Sequence, residues 1–305
     1  MFISREATNL WKLSKTLINC TINSNIISIR SMCTASCFSS EEFTIDKYRC
    51  AKVNVDKVIS SNPQLLTDPN HLLTLMKGTH ETWAKDGVRA IWFTIKTDHC
   101  VLVPVLIQSG FDYHHAKAGS VTLCKWIKQD EPNNIPSYPF TNIGVGGLVV
   151  NSKDEVLVVK EKYHLGYPLW KFPGGYAMKG EELGDTAVRE VFEETGIKTK
   201  FDFMIALRHS HRFQFECSDM YFVAFLRPVE EGSLTPVRGL HEISDVTWMK
   251  HQELAPQLSP FNSFILQQYL RIRDNQVQMR CQKMDSIIGL VNVYFVGTSS
   301  SEESS

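Results

Sequence analysis

Three glutamates, Glu190, Glu193 and Glu194, fall within the segment GGYAMKGEELGDTAVREVFEETGI, residues 174–197. On a helix the positions i, i+3 and i+4 share one face, so these carboxylates are neighbours that repel one another. A bound cation relieves that repulsion. Hard oxygen donors of this kind suit Mg²⁺ or Mn²⁺, with water and phosphate completing the shell. Gly174 and Gly175 let the backbone pass close to such an ion and offer a carbonyl as a further ligand, which makes Gly175 a metal candidate. Arg189 and Glu181 are a candidate ion pair between the helix and the loop before it, suited to orienting the ligands. Gly196 ends the helix with a residue that tolerates left-handed geometry. The competing reading of the same spacing is an acidic, solvated helix face carrying a stabilising salt bridge.

The elements that must position these residues follow from hydrophobic pattern. Leu183–Thr195 reads as the helix, and Leu169–Phe172 as a short strand running into Pro173-Gly174-Gly175. Ile143–Val150 and Glu155–Lys160 read as a hairpin around Asn151–Asp154. Ile197–Phe215, Met220–Arg227 and Asp245–Met249 read as strands, and Phe261–Lys283 as a helix. Trp170 and Phe172 are expected in the core, with lining of an adenine pocket as the alternative. Phe213 and Phe215 alternate with polar residues and are also expected in the core. Upstream, Phe43–Ile59 reads as strand and turn. Asp68–Lys85 reads as a helix capped by Asp68. Val88–Ile95 and Cys100–Ile107 read as a hairpin, and Ser120–Ile127 as a further strand. Residues 128–142, KQDEPNNIPSYPFTN, read as a linker. The expected organisation is therefore a leader over 1–40, an α+β unit over 41–127 and the linker over 128–142. A catalytic domain over 143–285 and a terminal strand and disordered tail over 286–305 complete it.

The pattern Gly175, Glu181, Arg189-Glu190-Val191, Glu193-Glu194, Gly196-Ile197 fills every defined position of the Nudix box, and the chain resembles that hydrolase family. From average residue usage, such a match at one start is on the order of one in 10^10. The resemblance implies an α/β/α sandwich with a mixed sheet. It also implies hydrolysis of a nucleoside diphosphate linked to some moiety X, through divalent ions and a glutamate that activates water. Carried over by position, Glu190 and Glu194 are direct ligands, and Glu193 is a third ligand or the base. Because the base often lies outside the box, Glu242 is the external candidate, against an exposed loop carboxylate as the alternative.

Softer signals, GVRAIWFTI at 87–95, YPLWKFPGG at 167–175 and RHSHRFQFECSDMYFV at 208–223, resemble one animal and plant subgroup of the family. Its plant members act on ADP-ribose and NADH, and its N-terminal unit is acyltransferase-like. The implied reaction is release of AMP from ADP-ribose or NADH. The alternatives are another dinucleotide, a coenzyme A derivative, an RNA cap, or a regulatory nucleotide-binding module. No coenzyme A loop occurs in residues 41–127, so acetyl transfer is unsupported. Arg208, His209, His211 and Arg212 cluster before a strand. Arg208 and His211 are candidates for touching substrate phosphate or ribose, with a solvated strand edge as the alternative.

The 305 residues carry 32 basic and 33 acidic side chains, so no global field draws in nucleic acid. Eight cysteines include no Cys-x-x-Cys pair, which points to free thiols. No run reaches the length of a membrane span; the best, Ile287–Val296, reads as a strand. Residues 1–40 hold Arg5, Lys12, Lys15 and Arg30 against one acid, Glu6, with Leu10, Leu13 and Leu17 at helical spacing. That composition predicts a mitochondrial transit peptide; cytoplasm or nucleus is the alternative location. A homodimer is the default expectation for assembly.

Overall fold

The computed structural model of the chain describes residues 37–163, 169–212, 214–229, 233–275, 277–286 and 289–298. The expected leader lies almost wholly outside the described residues, as do Phe213 and the tail beyond Thr298. Two compact units are present, one up to Tyr138 and one from Pro139 onward. Among the described residues, no helix is long and apolar enough to cross a membrane.

The first unit is a five-stranded sheet carrying helices. Strands β1 (Phe43–Ile45) and β2 (Cys50–Val53) pair antiparallel, and helices α1 (Val55–Ser61) and α2 (His71–Lys85) lead to β3 (Ala90–Lys96). β3 lies parallel to β2, as a crossover through helices demands. α2 buries Leu72, Leu75, Met76 and Trp83 in one core with Ile91, Phe93, Ile95 and Leu123. It starts three residues later than the pattern suggests. Pro69 disfavours helix at Asp68, whose carboxylate instead accepts from the Asn70 N–H at 3.2 Å.

The expected hairpin over Val88–Ile107 does not form. Thr97–Leu102 is a 3-10 turn and Val103–Gln108 is helix α3. Pro104 has no N–H for a ladder but suits a first helical turn. Leu102, Val105 and Leu106 bury a helical stripe there. The true partner of β3 is β5 (Ser120–Trp126), which also holds the polar edge strand β4 (Asp112–Lys117).

The second unit is an α/β/α sandwich. Its sheet runs β13-β12-β9-β10-β6-β8, with β6 (Thr141–Val149), β8 (Gly174–Tyr176), β9 (Thr199–Ser210), β10 (Ser218–Pro228), β12 (Val277–Ser286) and β13 (Gly289–Thr298). A separate pair joins β7 (Glu155–Glu161) to β11 (Ile243–Lys250). The sheet is mixed: β6 is parallel to β10 and antiparallel to β8. Both edges of β6 are thereby occupied. The expected hairpin with β7 is reduced to a single bridge, Val150 to Val156, and β7 pairs with β11 instead.

Strand alternation divides the apolar residues between two cores. Val145, Val149, Met204, Ala224 and Leu226 meet Ala187 and Val191 of α4 (Leu183–Thr195). Leu148, Phe203, Ile205, Val223 and Phe225 face the other way. They meet Ile265, Leu266 and Tyr269 of α6 (Pro260–Asn275), which follows the short α5 (His251–Leu254). Each fully buried large side chain contributes roughly 1.5–3 kcal/mol, so both helices are held by packing.

Two expectations need correction. The helix over Phe261–Lys283 ends at Asn275. Beyond it, β12 pairs with β13 through ten residues, because the apolar period changes from helical to alternating at Val277, Met279 and Cys281. β9 stops at Ser210, and positive φ angles at Arg212 and Phe215 turn the chain. Phe215 is accordingly 90% exposed rather than in the core.

Candidate active site

α4 spans Leu183–Thr195 and ends at Gly196 with φ 69°, the left-handed conformation anticipated there. The Gly196 N–H donates to the Phe192 carbonyl at 2.8 Å. The next free carbonyls of the helix end are taken by a loop. Val237 N–H donates to Thr195 O at 2.8 Å and Gly239 N–H to Glu194 O at 3.0 Å. A Cβ on Gly239 would sit 2.7 Å from Glu193 O, so that close approach requires glycine. Three residues on from Gly239 is Glu242.

One face of α4 is sealed by Ala187 and Val191; Glu190 and Glu194 turn toward β8. Glu194 is buried, and its Oε2 accepts from the Gly174 N–H at 3.0 Å. A Cβ on Gly175 would lie 2.6 Å from the Glu190 carboxyl carbon, and one on Gly174 would lie 2.4 Å from the Val145 carbonyl oxygen. The edge strand thus lies flat on the sheet and against the carboxylates because both residues lack side chains. Gly175→Ala is expected to push the Glu190 carboxylate aside and lower turnover by about 100-fold, the scale of ångström misplacement in a reacting site. Steady-state kinetics beside a thermal melt check it. Unchanged turnover would mean that Glu190 need not sit there.

Arg189 locks the loop to the helix. Its Nε and Nη2 donate to the two Glu181 oxygens at 2.7 and 2.9 Å, a bidentate pair. Nη1 donates to Glu190 at 2.7 Å and to Glu193 at 3.1 Å, and Nη2 also to the Tyr176 carbonyl at 3.1 Å. The guanidinium, helped by the Met178 N–H, holds the Glu181 carboxyl down at about 2. The same ion pairs make Arg189 harder to deprotonate.

Burial raises the Glu190 carboxyl above its ordinary range against the pull of Arg189; the charges of Glu193 and Glu242 push it further. Burial pushes Glu194 up to about 7, opposed by Lys171 and the Gly174 N–H and reinforced by Glu190 and Glu161. Lys171 stands 3.9 Å from Glu194 but 2.5 Å from Glu161, so most of its charge is committed elsewhere. A desolvated Glu194 with little compensation, beside a Glu190 that shares Arg189 with Glu181, fits a divalent cation held by Glu190, Glu194 and the Gly175 carbonyl, water and phosphate supplying the rest. Among the described residues, no three carboxylate, imidazole or thiolate side chains surround one point.

The remaining candidates are placed as follows. Glu193 stands apart from the pair, with its side chain 54% exposed and turned to Arg189. Glu242 is exposed and within electrostatic reach of Glu190; its carbonyl accepts from the Lys162 N–H at 2.7 Å. Arg208 does not present a free charge. It donates to the buried Asp219 at 2.6 Å, and its guanidinium lies over the rings of Tyr221 and Phe261. Tyr221 in turn lies across Gly144 and Gly146 of β6, where a Cβ would meet its ring or hydroxyl at 2.9 and 2.3 Å. Its hydroxyl is raised first by burial and then by Glu194, which ties this stack to the carboxylate site. His211 joins the turn after β9, its Nδ1 2.9 Å from Ser218 Oγ and its ring against His209. Trp170 and Phe172 are buried in the core facing α6. Sequence reasoning missed Lys171, although its place between two core aromatics on an extended segment sends it to the opposite side. It missed Asp219 and Tyr221 for want of any local signal.

A sheet edge of bare glycine backbone laid against arginine-locked glutamates on an α/β/α sandwich is the arrangement of the Nudix hydrolases, and the chain belongs to that family. Residues 141–269 match the family model described as NUDIX domain, and residues 42–127 match that described as Nudix hydrolase domain. Nudix hydrolase 6 of Arabidopsis thaliana is 32% identical over 263 residues, covering 85% of this chain and 87% of that protein. Nudix hydrolase 8 of the same plant is 35% identical over 235 residues, 76% of this chain and 62% of that protein. Nucleoside diphosphate-linked moiety X motif 6 of Mus musculus is 40% identical over 157 residues, half of each chain. The match thus spans less than two thirds of the length of the latter two relatives. A crystal structure of a NUDIX hydrolase from Nitrosomonas europaea superposes with a TM-score of 0.38 at 19% identity, covering 54% of this chain and 87% of that one.

Proposed function

We propose that this chain hydrolyses the diphosphate bond of a nucleoside diphosphate derivative, ADP-ribose or NADH, releasing AMP, in a reaction dependent on Mg²⁺ or Mn²⁺. The observation that carries the reading is the buried Glu194 and the part-buried Glu190 beside it, set against the side-chain-free backbone of Gly174 and Gly175. Those carboxylates and the Gly175 carbonyl would hold the ion, which supplies charge stabilisation for the phosphates and a more acidic water. Arg189 fixes the Glu190 carboxylate in direction. Glu242, exposed and close enough to act electrostatically on Glu190, would take the proton from the attacking water. The choice of ADP-ribose and NADH rests on the subgroup motifs at 87–95, 167–175 and 208–223.

The test is incubation of the purified chain with ADP-ribose and with NADH, with Mg²⁺, with Mn²⁺ and with a chelator. AMP is expected only with metal. Its absence under every condition would overturn the reading. We propose in addition that residues 1–40 direct import into mitochondria. A fluorescently tagged chain lacking them is expected to stay in the cytosol while the full chain is imported, and equal distribution of the two would remove that proposal.

A further inference from the structure

The first unit holds a cleft of about 190 Å³ lined by Leu73, Met76, Lys77, His80, Ser109 and Lys125. Four of these lie at i, i+3, i+4 and i+7 on α2 and form one stripe of that helix. The facing wall is the C-terminal end of α3 with Lys125 of β5. Lys125 Nζ donates to the Ser109 carbonyl at 2.6 Å and lies 6.0 Å over the Phe111 ring, which among the described residues leaves two of its three N–H groups without a hydrogen bond. His80 Nε2 is sealed from solvent and, among the described residues, has no hydrogen-bond partner. The imidazole is held in its neutral form, by burial first and then by the charge of Lys125, while Glu81 on the same helix acts the other way. No carboxylate lines the cleft.

The volume corresponds to about six waters at liquid density. The cleft therefore exceeds what one buried polar atom requires. Its lining is divided: cationic groups at Lys77 and Lys125, and an apolar floor at Leu73 and Met76. An oxyanion is the group that answers two ammonium ions together.

We propose that this cleft binds a small carboxylate or phosphate group carried on a short apolar stem. The oxygens accept from Lys125 and Lys77, and the stem lies on Leu73 and Met76. The size restricts the ligand to a few heavy atoms beyond the anionic group, well below a dinucleotide. The site lies wholly within the first unit, on residues distinct from the glutamate site of the second.

Calorimetric titration of the full chain with hexanoate and, separately, with inorganic phosphate tests this. A chelator is present, so that no divalent cation draws the probe to the glutamates. Saturable binding is expected for at least one probe, and it is expected to be unchanged in Glu194→Gln. Dissociation constants at least tenfold weaker are expected in Lys77→Gln and in Lys125→Gln. Lys77 is exposed, so its variant tests the charge without disturbing the core. Binding of hexanoate alone would identify a carboxylate on an apolar stem, and binding of phosphate would identify a phosphate monoester; both support the site. Absence of saturable binding by either probe, or binding that both variants leave intact, would overturn it. Because the chelator removes metal-dependent turnover, neither result bears on the hydrolytic reading.

Discussion

Glu194→Gln is expected to lower turnover of ADP-ribose by about 10^3-fold, or about 4 kcal/mol of transition-state stabilisation, while the protein unfolds at an unchanged or higher temperature. The two effects separate because the carboxylate is buried at a structural cost. Glu194 has 7% of its side chain exposed, with Lys171 no nearer than 3.9 Å. An amide of the same shape still accepts from the Gly174 N–H, so the contact between β8 and α4 survives. What it removes is a poorly compensated charge and its repulsion with Glu190, which favours folding. The measurement is paired: kcat with saturating Mn²⁺, and a melt without metal. Full activity would defeat the assignment of Glu194 as a ligand. A melt several degrees lower would show that the carboxylate is mainly structural. Stability bought at the expense of turnover is the usual signature of a strained functional group.

Arg189→Ala is expected to act in the opposite sense on stability, destabilising the second unit by about 3–5 kcal/mol, the scale for breaking a buried ion pair from one side. Five hydrogen bonds are lost, and Glu181 and Glu190, with 16% and 13% of their side chains exposed, are left as unpaired carboxylates. Arg189→Lys keeps the charge but cannot reproduce the two-pronged contact to Glu181, so it should recover only part of the loss. Hydrogen exchange of the α4 amides reads this without interference from the first unit. Protection is expected to fall in Arg189→Ala and to recover partly when Mn²⁺ is added, since the ion would neutralise Glu190. Protection equal to wild type in the absence of metal would show that the guanidinium is dispensable.

Much of the site could be read from residue order, because its key spacing is local. The helix over Leu183–Thr195 is found where the pattern placed it, and Glu190 and Glu194 share its face with Gly196 as the terminator. The ion pair of Arg189 with Glu181 also follows from sequence, since eight residues of loop and helix join the partners. What sequence concealed was non-local. The alternation in residues 143–150 and 155–160 identifies strands but not their partners, and β6 finds its own in β10 and β8. The pattern at Cys100–Ile107 is equally compatible with strand and helix over so short a run; Pro104 decides it. Glu193 was equivalent to its neighbours by spacing, yet Arg189 draws it outward. Arg208 looked like an available cation, but its neutralising partner Asp219 lies on the next strand.

The loop that closes the end of α4 has a mechanical implication. Val237 and Gly239 are bonded to the carbonyls of Thr195 and Glu194, so the segment leading to Glu242 is bolted to the same turn that carries the buried glutamate. The external carboxylate and the helix must therefore travel as one piece. Strain applied to one is thereby passed to the other through two backbone hydrogen bonds.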